Sequence, residues 1–231
     1  MLYQMDETTP MPTCVGIILD GNRRWAKAKG LSGVEGHKAG ADNLEKIAKH
    51  LSARGVQHLV VYAFSTENWN RSEEEVSYLM KLIEMSQQLF KRIASENVRI
   101  RFVGELARVP EATLRTIREI EEVSKNNTGK TFWVCFSYGG RAEVIAAAKE
   151  LQKSGEEITE ESFKGHMWTA EMPDPDLIIR TSGEKRLSNF LLWQGAYSEL
   201  FFTDTYWPDF SPEEFDRILA EYAVRERRHG K

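Results

Sequence analysis

The chain has 231 residues, 41% of them hydrophobic and 29% charged, a composition that excludes an intrinsically disordered protein. Its formal net charge of −4 gives no general reason to expect a nucleic-acid partner, although a local basic pocket is compatible with it. The 2 cysteines stand in apolar segments, which excludes a disulfide framework and a cysteine-based zinc site and predicts buried, reduced thiols.

The length and the absence of obvious linkers predict one domain. The longest apolar run, residues 59–64, is far shorter than the roughly 20 residues of a membrane-spanning helix. The N-terminus lacks the charged and apolar regions of a signal peptide, so we expect a cytoplasmic protein. We expect a single domain over residues 1–231, with residues 1–12 as a flexible N-terminal tail.

The first half of the chain alternates between strand-like and helix-like segments. Continuous apolar runs predict buried strands over residues 14–19 and 56–64. Between them, apolar periodicity predicts a helix over about residues 38–54 that ends before a glycine. Ser72 and Glu75 have the spacing of a capping box, which predicts the start of one long helix reaching about residue 95.

The second half continues the same alternation. The predicted strands span residues 98–103, 131–136, 176–180 and 200–202, the first of them at an edge of the sheet. The predicted helices begin at Pro110, near residue 140, at Thr159 and after Ser211. This order of elements predicts an α/β fold in which helices cover both faces of a mostly parallel sheet.

Right-handed crossovers place the carboxyl ends of such strands at one edge, where ligands bind. Four segments that follow predicted strands are rich in Gly, Asn, Ser and Arg: residues 20–25, 65–71, 137–141 and 180–186. Backbone N–H groups, short polar side chains and guanidinium groups are the chemistry of a phosphate site. Since each charge-assisted hydrogen bond contributes about 1.5–3 kcal/mol, several arginines could hold a diphosphate.

Several residues allow two interpretations on this evidence. Asp20 follows an apolar strand and suits either a Mg²⁺ ligand or a helix N-cap. Glu199 lies among aromatic residues, which suits a second metal ligand or a buried salt bridge. His37 suits a diphosphate donor or a polar residue at a helix start. The segment from Asp174 to Asp176 is similar to a metal-binding DxD motif, but a turn before a strand is the simpler interpretation.

Apolar and aromatic residues near this edge are equally ambiguous. Trp25 and Trp69 suit core or lid positions as well as ligand contacts. The predicted helix over residues 72–95 has more apolar surface than one packing stripe needs, so it could wall a hydrophobic tunnel or simply pack in the core. The chain has neither a GxGxxG nor a Walker A pattern.

Three segments carry a resemblance to a known family. They are residues 20–26 (DGNRRWA), 62–71 (YAFSTENWNR) and 176–194 (DLIIRTSGEKRLSNFLLWQ), and the likeness continues through Tyr197, Glu199 and residues 207–210. In order and content they resemble the cis-prenyltransferases, the undecaprenyl diphosphate synthase family. The resemblance covers about residues 14–230, and the chain lacks the DDxxD motif of trans-prenyltransferases.

The resemblance implies a fold and a reaction. The fold would be one α/β domain with a central sheet of about six parallel strands, a hydrophobic tunnel and a homodimeric assembly. The reaction would join isopentenyl diphosphate to an allylic diphosphate, such as farnesyl or geranyl diphosphate, with a new Z double bond and with Mg²⁺ as cofactor. The expected product is an undecaprenyl-type carrier precursor, released with a transient membrane contact. A short- or medium-chain product is the alternative.

The resemblance also assigns roles to residues. Asp20 would be the catalytic acid linked to Mg²⁺, Glu199 the second Mg²⁺ ligand, and Asn68 the acceptor or relay of the proton lost from isopentenyl diphosphate. Asn is a poor base, so water or a diphosphate oxygen could take that proton. The implied substrate-binding residues are Gly21, Asn22, Arg23, Arg24, Trp25, His37, Ser65, Thr66, Glu67, Trp69, Arg71, Arg180, Arg186, Leu187 and Ser188.

The chain departs from the family pattern at a few positions. Gly33 stands where the family often has Arg, and Arg23 stands where many members have Gly, so Arg23 could compensate. Lys185 stands where His is frequent. Trp133 and Phe136 are bulkier than usual and would shorten the product if they faced the tunnel.

Three further expectations complete the sequence-based interpretation. Arg228 and Gly230 resemble a family tail that reaches the partner subunit's site. A nucleotide-dependent transferase is an alternative activity for the same phosphate-binding residues. A non-catalytic subunit of a heteromeric prenyltransferase is disfavoured, because such subunits lose site residues that this chain retains.

Overall fold

A computed structural model describes residues 11–225 and shows one sheet built from buried apolar runs. Its strands are β1 (Cys14–Ile18), β2 (His58–Ser65), β3 (Arg99–Val103), β4 (Thr131–Tyr138), β5 (Leu177–Arg180) and β6 (Glu199–Phe202). The order across the sheet is β3-β4-β2-β1-β5-β6, and every neighbouring pair is parallel. The predicted α/β class and parallel sheet are confirmed, with β3 at an edge as expected.

Helices connect β1 to β5 in succession, whereas residues 181–198 join β5 to β6 without a helix. Within the described residues they are α1 (Asn22–Ala28), α2 (Gly33–Ala53), α3 (Glu73–Met85), α4 (Gln87–Ser95), α5 (Glu111–Ser124), α6 (Gly140–Ser154), α7 (Glu160–Gly165) and α8 (Pro212–Ala223). A 3₁₀-helix over Thr66–Asn70 follows β2 directly. In this part of the chain, no helix has the length and apolar character needed to cross a bilayer.

Two helix predictions were wrong in their boundaries. α2 begins at Gly33 rather than near residue 38, because Ser32 and Glu35 form a capping box there. The helix expected over residues 72–95 is two helices that meet at Ser86. The Ser86 hydroxyl donates to the Leu82 carbonyl at 2.7 Å, and this kind of bond to the preceding turn bends helices. Ser72 does cap α3, but the Glu75 carboxylate does not complete a capping box.

The sheet divides the core into two layers. The larger layer packs α2, α3, α4, α5 and α8 against one face, and the smaller layer covers the other face with Cys14, Cys135 and Phe190 among its members. Both cysteines are free and buried, as predicted, and burial raises the pKa of each thiol. Since successive side chains alternate across a strand, β1 to β5 each contribute to both layers.

The ends of the chain bear on two expectations. Met11 packs against the larger core layer and Pro12 is buried, so the last two residues of the expected N-terminal tail are part of the fold. Residues 1–10 lie outside the described residues, as do Arg228 and Gly230 of the expected C-terminal tail.

Glycines on α2 let α1 pack closely on it. A Cβ atom at Gly36 would lie 2.2 Å from the Asn22 carbonyl oxygen and 2.9 Å from Cβ of Ala26. A Cβ atom at Gly40 would lie 2.2 Å from Asn22 Oδ1. This contact fixes the position of α1, whose first turn carries Arg23 and Arg24.

We expect Gly36→Ala to destabilise the protein, because the new methyl group meets backbone that cannot rotate away. Overpacking of this kind costs about 1–3 kcal/mol, and in a chain of this size each kcal/mol lowers Tm by about 2–4 °C. Gly165→Ala is the matched control, since nothing lies within 4 Å of its added Cβ. Equal Tm values for the two variants in thermal unfolding would contradict this packing argument.

Candidate active site

A cavity of about 1120 Å³ opens at the carboxyl edge of the sheet. This is slightly above the usual range of about 300–1,000 Å³ for small-molecule pockets. Its mouth is lined by polar side chains from the segments after β1, β2 and β5. Its interior is apolar and lies between the sheet and helices α2, α3 and α4, with Leu79, Ile83, Phe90 and Val134 among the lining residues. The cavity therefore joins a mouth lined by charged and polar side chains to a hydrophobic chamber.

Five residues at the mouth form a closed set of charged contacts, here called the arginine–carboxylate ring. Its members are Asp20, Arg24, Arg180, Glu184 and Arg186. Asp20 Oδ2 accepts from Arg180 at 2.7 Å, and Asp20 Oδ1 lies 3.4 Å from Arg24 Nη2. Glu184 accepts from Arg24 at 3.1 Å and from Arg186 at 2.5 Å. Arg180 closes the ring by donating to the Arg186 carbonyl at 2.6 Å.

Arg180 is the most buried member of the ring, with 6% of its side chain exposed. A buried guanidinium is tolerated only when it is paired and hydrogen-bonded. Arg180 also donates to the Ser188 hydroxyl at 2.6 Å, so its contacts order the loop after β5. Ser188 and Asn189 in that loop have positive φ values of 49° and 69°, an uncommon conformation for residues other than glycine.

A second group of charges lies across the mouth. Glu75, on α3, accepts from Arg71 at 2.7 Å and from Arg23 at 3.3 Å, so it links α3 to α1. Arg23 also passes close to Gly33, since a Cβ atom there would lie 3.8 Å from Arg23 Cγ. The stem of Arg23 therefore lies beside Gly33.

His37 lies beside this group, in the second turn of α2 rather than at its start. Burial lowers the pKa of His37, and the charges of Arg71 and Arg23 lower it further, against the opposing effect of Glu75. Its Nε2 atom is buried without a hydrogen-bond partner. The neutral imidazole of His37 therefore has one unpaired nitrogen near the mouth of the cavity.

The segment after β2 contributes Ser65, Glu67 and Asn68 to the cavity wall. The Ser65 backbone N–H donates to Asn68 Oδ1 at 3.1 Å, and this bond orients the Asn68 amide. Asn189 Nδ2 donates to Glu67 at 2.7 Å, which connects this segment to the loop after β5. The structure therefore brings together the two segments that the resemblance assigns to isopentenyl diphosphate.

Comparisons with known proteins agree with this geometry. The family described as "Putative undecaprenyl diphosphate synthase" matches residues 18–230. Isoprenyl transferases of Listeria monocytogenes and Fusobacterium nucleatum are 44% and 48% identical, over 98% and 95% of this chain and 93% and 96% of theirs. The chain belongs to the undecaprenyl diphosphate synthase family. Like its isoprenyl transferase relatives, it is a prenyltransferase enzyme.

Two solved structures of similar fold support this assignment. Lavandulyl diphosphate synthase from Lavandula x intermedia, in complex with dimethylallyl diphosphate, has a TM-score of 0.91 and 35% identity, covering 98% of this chain and 100% of that one. A probable undecaprenyl diphosphate synthase from Campylobacter jejuni has a TM-score of 0.83 and 31% identity, covering 96% and 100%.

Most of the predicted site residues of this prenyltransferase line the cavity. They are Asp20, Gly21, Asn22, Arg23, Arg24, His37, Ser65, Glu67, Asn68, Arg71, Arg180 and Ser188. Other predicted residues do not line it: Trp25, Thr66, Trp69, Arg186, Leu187 and Glu199. Arg186 still belongs to the arginine–carboxylate ring, whereas Trp69 packs edge-on against Phe64 and donates to the Ser137 hydroxyl at 3.0 Å.

Sequence reasoning missed two carboxylates of the site. Glu184 lies within residues 176–194, the third segment of the resemblance, and Glu75 lies in the predicted capping box of α3. Neither carboxylate was a predicted site residue. The cluster of arginines in these segments could have indicated them, because clustered guanidinium groups need carboxylate partners.

The structure places Glu199 away from Asp20 of the same chain. Glu199 pairs with Leu177, at the start of β5. Asp20 lies two residues beyond Ile18, which pairs with Arg180 at the end of β5. Asp20 and Glu199 are therefore offset by five residues along the strand direction, roughly 16 Å at about 3.3 Å per residue. Glu199 and Asp20 of one chain therefore do not share a metal ion. Glu199 instead forms a salt bridge with Arg225 at 2.7 Å, the other interpretation that the sequence allowed.

Geometry bears on three further interpretations from the sequence. Asp20 is not an N-cap, since Gly21 occupies that position of α1 without a side-chain cap. Asp176 accepts from the backbone N–H groups of Thr13 and Cys14 at 2.8 and 3.0 Å, a structural role at the start of β5. Phe136 lines the cavity, but Trp133 lies in the core layer on the other face of the sheet, so its expected effect on the tunnel is wrong.

The donor set fits a Mg²⁺ ion only when it is shared with substrate. Among residues 11–225, no group of three or more His, Cys, Asp and Glu side chains could hold a metal. Asp20 offers one carboxylate at the mouth, with 28% of its side chain exposed. Mg²⁺ is commonly held by one or two carboxylates together with substrate phosphates, so Asp20 could serve when a diphosphate supplies the other oxygens.

We expect His37 to make stability depend on pH. Its folded pKa lies below its unfolded value of about 6.5, so protonation favours the unfolded chain. The stabilisation is therefore complete above about pH 6.5 and is lost as the pH falls toward the folded pKa, by at most about 1.4 kcal/mol per pH unit. Urea unfolding of His37→Gln should show a smaller loss than the wild type between pH 6.5 and 5. A His37 pKa at or above 6.5 in an NMR titration would contradict this.

Proposed function

We propose that this prenyltransferase condenses isopentenyl diphosphate with an allylic prenyl diphosphate and forms a Z double bond, with Mg²⁺ as cofactor. One observation carries the proposal: the arginine–carboxylate ring stands at the mouth of an apolar cavity of about 1120 Å³. Such a site matches an amphiphile that has a diphosphate at one end and a hydrocarbon chain at the other. A nucleotide would leave the apolar interior unused, so a nucleotide-dependent transferase is disfavoured.

In this proposal each substrate occupies one side of the mouth. The allylic diphosphate lies beside Asn22, Arg23, Arg24 and His37, and its prenyl chain enters the cavity. The dimethylallyl diphosphate bound to the lavender relative supports an allylic substrate. Isopentenyl diphosphate lies at the other side, with Arg180, Arg186 and Ser188.

The reaction then needs charge stabilisation and proton removal. The C1–O bond of the allylic substrate breaks, and diphosphate leaves with the electron pair. The isopentenyl double bond attacks C1, and a proton leaves the isopentenyl unit. Arg23 and Arg24 stabilise the charge on the leaving diphosphate. Mg²⁺, held by Asp20 and phosphate oxygens, would supply further charge stabilisation when bound.

Asn68 is proposed to guide the departing proton rather than to accept it. An amide is too weak a base for that task, so water or a diphosphate oxygen takes the proton. The bond from the Ser65 backbone N–H to Asn68 Oδ1 supports a fixed orientation of this side chain.

The assembly and location of the enzyme are further parts of the proposal. We propose a homodimer, supported by the exposed apolar side chains of Leu200 on edge strand β6 and of Tyr197 and Val224 near it. Because a polyprenyl product is poorly soluble in water, we also propose a cytoplasmic enzyme with a transient membrane contact. Leu31 and Val34, exposed beside the mouth, support that contact.

The product is proposed to be of the undecaprenyl type, and one residue favours a shorter alternative. Phe136 stands in the cavity wall and packs against Phe64 with ring centres 5.3 Å apart. A bulky ring there limits the space for a growing chain.

The direct test supplies Mg²⁺, isopentenyl diphosphate and dimethylallyl, geranyl or farnesyl diphosphate, and analyses the dephosphorylated products by mass spectrometry. We expect Z-prenyl alcohols from the wild type and none with EDTA. Asp20→Ala should lower the rate by on the order of 10²-fold or more, because it removes the carboxylate at the reacting diphosphates.

Asp209→Ala is the matched control for that test, since Asp209 forms an exposed ion pair with Lys29 at 3.5 Å. It should keep wild-type activity. Condensation with no primer would contradict the proposed activity and would favour a non-catalytic partner subunit, whose second chain should then restore activity.

We expect Phe136→Ala to lengthen the product, because it opens the cavity wall. Phe132→Ala is the matched control: both rings are at most 2% exposed and belong to the same core layer, but Phe132 does not line the cavity. Each change costs about 3–5 kcal/mol of stability, so the assays belong at low temperature. Unchanged product length in Phe136→Ala, or equal lengthening in both variants, would refute the limiting role of Phe136.

A further inference from the structure

Glu184 holds two arginines with one carboxylate. Oε1 accepts from Arg24 at 3.1 Å, and Oε2 accepts from Arg186 at 2.5 Å. Arg186, and more weakly Arg24, hold the pKa of Glu184 below its usual range, so the carboxylate is ionised at neutral pH. Under the proposed function, these two arginines belong to the two different substrates.

A negative charge at this position does not serve diphosphate binding by itself. It competes with each diphosphate for an arginine and repels both substrates. A residue selected only to bind diphosphates would be a cation or a neutral donor. The carboxylate makes sense as a spacer, because it fixes the distance between two guanidinium groups that would otherwise repel each other.

The loop that carries Glu184 is held independently of its side chain. The Ser182 backbone N–H donates to the Thr205 carbonyl at 2.8 Å, and that of Gly183 donates to the Thr203 carbonyl at 2.8 Å. Ser182 and Gly183 have positive φ values of 81° and 78°, so the turn has one well-defined shape. Removing the carboxylate should therefore release the two arginines without unfolding the loop.

We propose that Glu184 is a positioning residue that sets the separation of the allylic and isopentenyl diphosphates, and so aligns the two carbons that join. This inference rests on the proposed function. It does not make Glu184 a substrate ligand, since Glu184 acts through Arg24 and Arg186. The rest of the arginine–carboxylate ring supports the same role, because Asp20 and Arg180 complete the connection between the two arginines on the other side.

Three variants test the proposal. Glu184→Gln keeps the shape but replaces one of the two accepting oxygens with an NH2 donor, which cannot accept from an arginine. Glu184→Asp keeps the charge but is one methylene shorter, so it cannot span both arginines. Glu111→Gln is the control, since Glu111 is an exposed partner of Arg118 at 2.9 Å on α5, outside the cavity.

The measurements are initial rates over a grid of both substrate concentrations, together with Tm and calorimetric titration with inorganic pyrophosphate. Both Glu184 variants should lose 10- to 100-fold in kcat, as expected when reacting groups shift by about 1 Å. Their KM values should stay within threefold of the wild type or fall. Pyrophosphate should bind Glu184→Gln at least as tightly, and Tm should match that of Glu111→Gln.

Several outcomes would overturn the role of Glu184. These are a wild-type kcat in either Glu184 variant, raised KM values with unchanged kcat, weaker pyrophosphate binding by Glu184→Gln, and a lowered Tm that accounts for the loss. The pyrophosphate titration needs no turnover, so it tests Glu184 even if condensation fails. A wild-type enzyme that condenses no primer would instead overturn the proposed function.

Discussion

The active site depends on the ion pair between Asp20 and Arg180, which joins the ends of two neighbouring parallel strands at 2.7 Å. Arg180 is nearly buried, and an unpaired guanidinium in that position would be strongly destabilising. Asp20 therefore has two tasks. It neutralises Arg180 within the fold, and it presents a carboxylate to the cavity mouth. Because β1 and β5 pair in one register, residues 20–25 after β1 and the loop that carries Ser188 after β5 have a fixed relative position.

Charge balance explains how so many arginines coexist at one mouth. Within the described residues, two ion-paired groups contribute five arginines and three carboxylates, with Asp20 and Glu184 in one group and Glu75 in the other. Under the proposed function, the carboxylates limit repulsion before substrate arrives, and the excess of positive charge still attracts diphosphate. The apolar chamber behind the mouth would then take the hydrocarbon chain, so that the two ends of an amphiphilic substrate occupy separate parts of one cavity.

Much of the fold could be predicted because buried parallel strands leave a plain signal of continuous apolar runs, and because Ser72 and Ser211 mark their helix starts by capping. The break at Ser86 leaves no such signal, since a serine bond to the preceding turn does not disturb apolar periodicity. The position of Glu199 could not be predicted for a different reason: composition shows that a charge needs a partner, but not which end of a strand it occupies. Trp133 and Phe136 are three residues apart on one strand, so strand periodicity alone places them on opposite faces.

The close approach of α1 to α2 at Gly36 and Gly40 has a mechanical consequence. Because Gly36 and Gly40 bring α2 into close contact with Asn22 and Ala26 of α1, we expect the two helices to act as one rigid lever. One arm of the lever carries Arg23 and Arg24, and the other forms a wall of the hydrocarbon chamber through Leu44. Under the proposed function, pressure from a lengthening chain on that wall would reach the residues that hold the diphosphate. The size of the product could then influence how firmly the enzyme holds it.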